Sequence, residues 1–314
     1  MRILFMGSGA LACPSLSALL DDGTHEVIAA VTQPDRPRGR GLEAAACPAK
    51  ERLAGTDVPL LCPPDVNDPG VVARLQAYRP DVVVVAAYGQ ILRSGILSLP
   101  PRGCVNLHAS LLPKYRGAAP IQWAIANGEP FSGVTTMYMN ERMDAGDILL
   151  QKRIAIGRDE AAPRLHDRLA REGAGLLLQT LADIGRGAAK PIAQVEADAS
   201  YAPKLKKEDG RMDWSLPAET IYNRWRGFQP WPGSFCRRPA GRQGRLKVLQ
   251  VRVEPADGRR GEPGEVLDVA GPGPLVAAGR GVLRLLEVQP EGKKPMPAAA
   301  YLRGHPLAAG DRLA

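Results

Sequence analysis

Residues 81–87 read Asp-Val-Val-Val-Val-Ala-Ala, and this run decides the fold. A strand with one wet face alternates apolar and polar side chains. A continuous β-branched run marks a strand covered on both faces, as in a parallel sheet held between helices. The flanking segments repeat the theme. Upstream, Arg2–Met6 (RILFM) is a short apolar strand that runs into Gly7-Ser8-Gly9. Pro14–Leu20 follows as a helix with proline near its start and leucines at 16, 19 and 20, and Glu26–Thr32 (EVIAAVT) is a second strand. Gln33–Cys47 is a Pro/Gly/Arg-rich loop, and Pro48–Ala54 and Pro69–Tyr78 are helices. Downstream come a strand at Gly103–His108 (GCVNLH), a helix at Pro120–Asn127 and a strand at Val134–Met139. A long helix at Pro163–Ile184 then carries Leu165, Leu169, Leu176, Leu177, Leu181 and Ile184 along one stripe. Strands alternating with helices predict an α/β, doubly wound, mostly parallel, Rossmann-like sheet.

Beyond Gly185 the texture changes. Residues 185–203 have no period, and after them short strand-like pieces (Leu246–Val253, Gly264–Val269, Leu275–Ala278, Val282–Val288) are set between Gly/Pro turns. That pattern predicts a small C-terminal β-barrel, OB-like. The expected division is 1–188 for the α/β domain, 189–204 for a linker and 205–314 for the barrel, consistent with about two domains in 314 residues. Charge divides the same way. Residues 1–200 hold 21 Lys/Arg and 21 Asp/Glu, whereas residues 201–314 hold 20 and 12, so the whole excess of +8 lies in the C-terminal part. A neutral body with a basic tail domain points to a polyanionic partner, nucleic acid first.

Composition excludes several classes. At 45% hydrophobic and 24% charged residues the chain is neither disordered nor collagen-like. No apolar run approaches the ~18 residues of a membrane helix, and the opening MRILFMGSG is too short for a signal peptide. Five scattered cysteines (13, 47, 62, 104, 236) form no C-x-x-C pair. The expectation is a cytoplasmic protein in a reducing setting, with no membrane, no disulfide framework and no metal site.

Two constellations carry chemistry. Gly7-Ser8-Gly9-Ala10-Leu11-Ala12 fits the dinucleotide fingerprint, but that fingerprint needs an acid at the end of the second strand, and here Asp35 lies beyond Pro34. A tight strand-to-helix turn that needs glycine accounts for the same residues. The second constellation is Asn106-Leu107-His108 at the end of an apolar strand. Residues i and i+2 share a face, so the amide and the imidazole point the same way at the edge where open α/β sheets bind ligands. Asp144-Ala145-Gly146-Asp147 forms a polar knot just after the next strand. An amide donor, an imidazole and a carboxylate suit acyl transfer: the amide holds an oxyanion, and the imidazole and carboxylate move a proton. No activated Ser or Cys is evident, so direct attack by a substrate amine is the natural route. On chemistry alone a strand-end cap for Asn106, a satisfied core histidine for His108 and a turn former for Asp144 stay open.

Four stretches resemble the methionyl-tRNA formyltransferase family: Gln33–Gly41 (QPDRPRGRG), Ala87–Leu92 (AYGQIL), Asn106–Gln122 (NLHASLLPKYRGAAPIQ) and Met143–Asp147 (MDAGD). The resemblance runs in order along the chain and includes Tyr201–Trp214 and Phe228–Gly233. N-x-H, then S-L-L-P, then D-x-G is shared by folate-dependent formyltransferases in general. The arginine-rich loop and the basic C-terminal domain are narrower. The resemblance implies formyl transfer from 10-formyltetrahydrofolate to the α-amino group of methionine on initiator tRNA, with Asn106, His108 and Asp144 as the catalytic group. It implies a folate site lined by Ser110, Leu111, Leu112 and Pro113, with Tyr88, Gly89, Ile91 and Leu92 as a further wall. It implies tRNA contact at Arg36, Arg38 and Arg40 and at Lys204, Lys206 and Lys207, with no metal and no stable protein partner. The sequence departs from the family in two places. Gly7-Ser8-Gly9 stands where the family has Gly-Thr-Pro, and Leu42-Glu43-Ala44-Ala45-Ala46 stands where the family often has lysines. The alternatives are a formyltransferase for a nucleotide or amino sugar, a non-catalytic RNA-binding protein and an NAD(P) oxidoreductase. Trp225 and Trp231 are expected in the core rather than as a base-stacking platform.

Overall fold

The structure, a computed structural model, describes residues 1–38, 43–237 and 244–314. It comprises two compact units. The first is Met1–Pro120, Phe131–Ala155 and Arg164–Pro203; the second is Ile121–Pro130, Ile156–Pro163 and Lys204–Ala314. The division is therefore not contiguous. Two short segments from within the first two hundred residues pack with the C-terminal unit, and residues 189–203 pack with the first.

The strands of the first unit are β1 (Arg2–Gly7), β2 (Glu26–Val31), β3 (Arg36–Arg38), β4 (Glu43–Ala45), β5 (Leu60–Leu61), β6 (Val82–Ala86), β7 (Cys104–His108), β8 (Arg116–Gly117), β9 (Phe131–Tyr138), β10 (Ile148–Ala155) and β11 (Tyr201–Ala202). Between them run α1 (Ala12–Asp21), α2 (Pro48–Leu53), α3 (Pro69–Ala77), α4 (Ser94–Leu97), α5 (Pro120–Ala126) and α6 (Ala162–Gly185). Seven strands form one sheet in the order β10-β9-β7-β6-β1-β2-β5. Strands β1, β2, β5, β6 and β7 are parallel; β9 and β10 add antiparallel to the edge. Every residue of β6 is buried, as its uninterrupted valines require. The chain starts in the middle of the sheet and builds outward on both sides, so the direction of winding reverses between β1 and β6. Helix α3 starts where Asp68 accepts from the Gly70 and Val71 amides with Pro69 at the first position.

Three local expectations change. The loop Gln33–Cys47 contains a hairpin, with Arg36 opposite Ala45 and Arg38 opposite Glu43. Strand β10 was not legible, because Gln151-Lys152-Arg153 interrupts its apolar residues; charge of this kind is tolerated, and useful, on an edge strand. Residues 201–202 pair with 116–117 as β11 on β8, so part of the aperiodic stretch is ordered against the first unit.

The second unit contains α7 (Ala218–Gly227), β12 (Ser234–Arg237), β13 (Arg245–Glu254), β14 (Val266–Asp268), β15 (Leu275–Ala277), β16 (Val282–Pro290), β17 (Met296–Pro297) and α8 (Ala298–Gly304). Its antiparallel order is β12-β13-β16-β15-β14, with β17 also on β16. The last residues close this sheet into a barrel. The Leu313 amide donates to the Gly264 carbonyl at 2.8 Å and the Val266 amide to Asp311 at 2.8 Å, while the Ala314 amide donates to Arg237 at 3.1 Å. Both free edges, β14 and β12, are thus paired, which removes an aggregation-prone border. Leu246, Val248, Val251, Leu283, Leu285 and Val288 alternate inward to fill the interior around Trp214 and Tyr301. Trp225 is partly buried against this core, but Trp231 is 53% exposed, so the expectation that both are core residues fails for Trp231. Its neighbours are prolines on either side, which turn the ring outward from the barrel instead of letting it join a regular element. Among the described residues no helix is long and apolar enough to cross a membrane.

Candidate active site

Strand β7 delivers Asn106 and His108 to the C-terminal edge of the sheet on one face, as their i, i+2 spacing requires, and both are over nine-tenths buried. The loop after β9 brings Asp144 to them. Asn106 Nδ2 lies 3.5 Å from Asp144 Oδ1, and His108 Nδ1 lies 3.6 Å from Asp144 Oδ2. The Gly117 amide donates to the same Oδ2 at 2.8 Å. On its other side the imidazole is fixed by a 2.9 Å bond between Nε2 and the Tyr115 carbonyl. A carbonyl only accepts, so Nε2 carries the hydrogen, and Nδ1 is the nitrogen that faces the carboxylate. The Asp144 carboxylate therefore stands 3.5 Å from an amide donor on one oxygen and 3.6 Å from an imidazole nitrogen on the other.

The loops that build this point are held in sparsely populated backbone conformations. Ala87 after β6, Tyr115 after β7 and Asp144 after β9 have φ of +45°, +62° and +49°. Such residues cost roughly 1–3 kcal/mol each and persist only where their surroundings hold them. Here each is tied. The Ala87 carbonyl accepts from the Ser8 and Gly9 amides at 3.2 and 3.1 Å. Tyr115 donates its amide to Ser200 Oγ at 2.9 Å. The Asp144 carbonyl accepts from Gln194 Nε2 at 2.9 Å, and the same nitrogen donates to Gly146 at 2.7 Å. Gly146 itself has no room for a side chain, because a Cβ there would stand 1.7 Å from the Tyr138 carbonyl oxygen.

Under β7 and β9, Thr135 Oγ1 donates to the Ser110 carbonyl at 2.7 Å and accepts from the Leu112 amide at 3.2 Å. Gln151 Nε2 reaches the Leu112 carbonyl at 2.8 Å. The Ser110–Pro113 segment is thereby a braced shelf. Ser110 and Leu112 are buried, with Ser110 Oγ donating to Lys114, while Leu111 and Pro113 are half-buried. On the neighbouring loop Tyr88 and Leu92 turn into the core, and burial pushes the Tyr88 hydroxyl well above the ordinary phenol range. Gly89 and Ile91 face outward, Ile91 at 79% exposure. Of the eight residues expected at a folate wall, Tyr88, Leu92, Ser110 and Leu112 are buried and Leu111, Pro113, Gly89 and Ile91 are at least partly exposed.

Lys204, Lys206 and Lys207 are exposed at the start of the second unit. Arg36 and Arg38 lie on the first strand of the hairpin β3–β4, and Arg40 lies outside the described residues. The dinucleotide fingerprint takes the simpler of its two readings. The Ser8 and Gly9 amides are spent on Ala87, a Cβ at Gly7 would stand 2.7 Å from the Phe5 ring, and Asp35 pairs with Lys50 at 2.7 Å.

Comparison with known proteins gives the family. Residues 1–181 match the formyl transferase model and residues 204–306 match the formyl transferase C-terminal domain. The chain is 47% identical over 313 residues to the methionyl-tRNA formyltransferase of Moorella thermoacetica, covering all of this chain and 99% of that one. It is 44% identical to the corresponding enzyme of Geobacter sulfurreducens, covering all of this chain and 96% of that one. The chain belongs to the methionyl-tRNA formyltransferase family. Solved structures share the fold at low identity. HypX from Aquifex aeolicus in complex with tetrahydrofolic acid superposes with a TM-score of 0.64 at 19% identity, over all of this chain and 50% of that one. The sugar 3N-formyltransferase WlaRD superposes with a TM-score of 0.66 at 16% identity, over 94% of this chain and 99% of that one.

The residues that hold the site leave no periodic pattern in the sequence. Gln194, Glu196 and Ser200 lie in the aperiodic stretch taken as a linker. Arg116, only 2% exposed, donates from Nε to Gln194 Oε1 at 3.1 Å and from Nη1 to Glu196 at 3.0 Å. An arginine so deeply buried must have its charge met, but its burial is set by the fold and leaves no local mark in the sequence.

Proposed function

We propose that this protein transfers the formyl group of 10-formyltetrahydrofolate to the α-amino group of methionine on initiator tRNA, in the cytoplasm, preparing that tRNA for translation initiation. The observation that carries the reading is the convergence of Asn106, His108 and Asp144 at the C-terminal edge of the sheet, at 3.5 and 3.6 Å. Full-length relationship to enzymes of that name supports the choice of donor and acceptor.

The residues divide the work by their chemistry. The methionyl nitrogen attacks the formyl carbon, a new N–C bond forms, and negative charge collects on the formyl oxygen. Asn106 donates an N–H to that oxygen, and His108 stands beside it as the second group that meets the developing charge. Asp144 takes the proton that the attacking nitrogen must shed and returns it to the folate nitrogen as the C–N bond to the donor breaks. No net proton is gained or lost. Fixed donors in a buried site need no reorganisation as the charge develops, and this is the largest single source of rate in acyl transfer. The shelf Ser110–Pro113 and the outward Gly89 and Ile91 flank the donor. Arg36 and Arg38 on β3, Arg40, and Lys204, Lys206 and Lys207 on the C-terminal unit contact tRNA phosphates.

The test is direct. The protein is mixed with 10-formyltetrahydrofolate and methionyl initiator tRNA, and formylmethionine is followed with time. Turnover with charged tRNA is expected. Formylation of a nucleotide-linked or sugar amine in place of charged tRNA would overturn the reading in favour of a small-amine formyltransferase.

A further inference from the structure

The segment 194–202 bonds the loops that carry Asp144 and hold His108 without contributing a residue to the catalytic group. Gln194 Nε2 donates to the carbonyls of Asp144 and Gly146 at 2.9 and 2.7 Å. Ser200 accepts the Tyr115 amide on Oγ at 2.9 Å, and its own carbonyl accepts from the Arg116 amide at 2.8 Å. Tyr115 is the residue whose carbonyl holds His108 Nε2. Tyr201 and Ala202 then pair with Arg116 and Gly117, and the Gly117 amide is the one that binds Asp144 Oδ2. Arg116 joins the two ends of the arrangement. Its Nε holds Gln194 Oε1 at 3.1 Å, and its Nη1 holds Glu196 at 3.0 Å.

We infer that residues 194–202 are a positioning strap for the active site, and that Gln194 is the positioning residue for Asp144. The inference rests on the function proposed above. Gln194 is suited to this by having both halves of an amide. Its oxygen is committed to the Arg116 guanidinium, which fixes the orientation of the amide and points the NH2 at the two carbonyls. Asp144 needs such a hold. It is a non-glycine residue at φ +49°, and its peptide must stay turned for the carboxylate to face Asn106 and His108. Other bonds brace the ends of the same loop: Tyr138 donates to Asp147 at 2.9 Å, and Asn140 Nδ2 reaches Ala145 at 3.3 Å. The bond to the carbonyl of Asp144 itself comes from Gln194. A shift of about 1 Å in a catalytic group costs roughly 100-fold in rate.

Two substitutions in the full-length protein separate positioning from packing. Gln194→Glu keeps the size of the side chain and its bond from Arg116 but removes both N–H donors and sets an oxygen against two carbonyls. Gln194→Ala removes everything. The strap predicts that both lower kcat by ~10- to 100-fold, in line with removing a group that orients a reacting residue. KM for 10-formyltetrahydrofolate and for methionyl-tRNA should stay within about two-fold, because the ligand surfaces are untouched. A purely packing role predicts instead that Gln194→Glu keeps wild-type kcat, and that result overturns the inference. So does a loss confined to KM. If Gln194→Ala fails to fold, Gln194→Glu alone decides, and Ser200→Ala tests the other arm by the same kcat-against-KM split. The wild-type protein run alongside separates the two readings. If wild type does not formylate methionyl-tRNA the proposed function fails; if wild type is active and Gln194→Glu matches it, only the strap fails.

Discussion

Replacing Asp144 by asparagine changes charge and proton capacity with almost no change of shape, so the structure lets its effect be worked out. The carboxylate offers two unlike oxygens. Oδ2 takes the Gly117 amide at 2.8 Å and faces His108 Nδ1 at 3.6 Å, whereas Oδ1 has only the long 3.5 Å approach of Asn106 Nδ2. An asparagine will keep its oxygen at the Oδ2 position to retain the strong bond, and its NH2 will face the Asn106 NH2 across the long one. The structural loss is one weak contact, under about 1 kcal/mol, so the melting temperature should move by no more than ~4 °C. The chemical loss is larger. The side chain can no longer accept the proton of the attacking amine, and a positioned acid–base group is worth roughly 100- to 10,000-fold, or about 2.7–5.5 kcal/mol of barrier. Single-turnover formylation of methionyl-tRNA at saturating 10-formyltetrahydrofolate measures the chemical step directly. The expected result for Asp144→Asn is a fall of at least ~100-fold in that rate with both KM values nearly unchanged. A folded variant that keeps a third or more of the wild-type rate would show that Asp144 is a turn former and not a proton carrier.

Three further outcomes are expected. Gly146→Ala must push the Tyr138 carbonyl, now 1.7 Å from the new Cβ, well over 1 Å away, and the displacement passes to Asp144 two residues along; kcat should fall by ~100-fold, and a normal rate would show that the loop yields without moving the carboxylate. In the C-terminal unit, burial pushes the Glu254 carboxyl up, but hydrogen bonds and charge from Arg252 and Arg284 outweigh it and hold the group below its ordinary 4.5. A depressed carboxyl stabilises the fold above that value and loses its contribution as pH falls through the folded-state value, so Glu254→Gln should melt earlier than wild type at neutral pH and the gap should narrow below about pH 4.5; a constant gap would refute the linkage. Arg40→Ala should lower kcat/KM for methionyl-tRNA, spare 10-formyltetrahydrofolate binding and reduce the slope of log affinity against log salt by about one; parallel lines of equal height would make Arg40 a bystander.

What could be read from the sequence follows from which interactions leave a local pattern. Strand β6 was legible because burial on both faces demands five consecutive apolar residues. Asn106 and His108 were legible because two-residue periodicity fixes their common face. Asp144 was legible as chemistry but not as geometry: its approach to residues 36 and 38 positions earlier leaves no mark on the intervening sequence. Strand β10 and the barrel closure by residues 310–314 were invisible for a related reason. In β10 the exposed Gln151-Lys152-Arg153 breaks the apolar run, and residues 310–314 are paired by strands distant in sequence, so neither shows an amphipathic period of its own. The segments 121–130 and 156–163 pack with the C-terminal unit through contacts such as Trp123 edge-on to Phe228 at 5.3 Å and Tyr222 to Asp159 at 2.8 Å. Their own residues read as ordinary parts of the α/β domain.

The same distinction bears on how the site is held. Ala87, Tyr115 and Asp144 are three of the five non-glycine residues with positive φ among those described, and all three lie in the loops that build the edge of the site. Their combined conformational cost is on the order of several kcal/mol. The bonds that meet it come from Ser8 and Gly9, from Ser200 and from Gln194, all distant in sequence, and each contributes about 1 kcal/mol net. Cost and compensation are therefore nearly balanced at this edge, whereas the sheet beneath has a large margin from burial of β1, β6 and β7. A substitution that removes one of these bonds lets its loop relax toward a commoner backbone conformation while the sheet stays folded. Damage to Gln194 or Ser200 should thus appear in kcat before it appears in the melting temperature, the reverse of what a core residue such as Val84 would give.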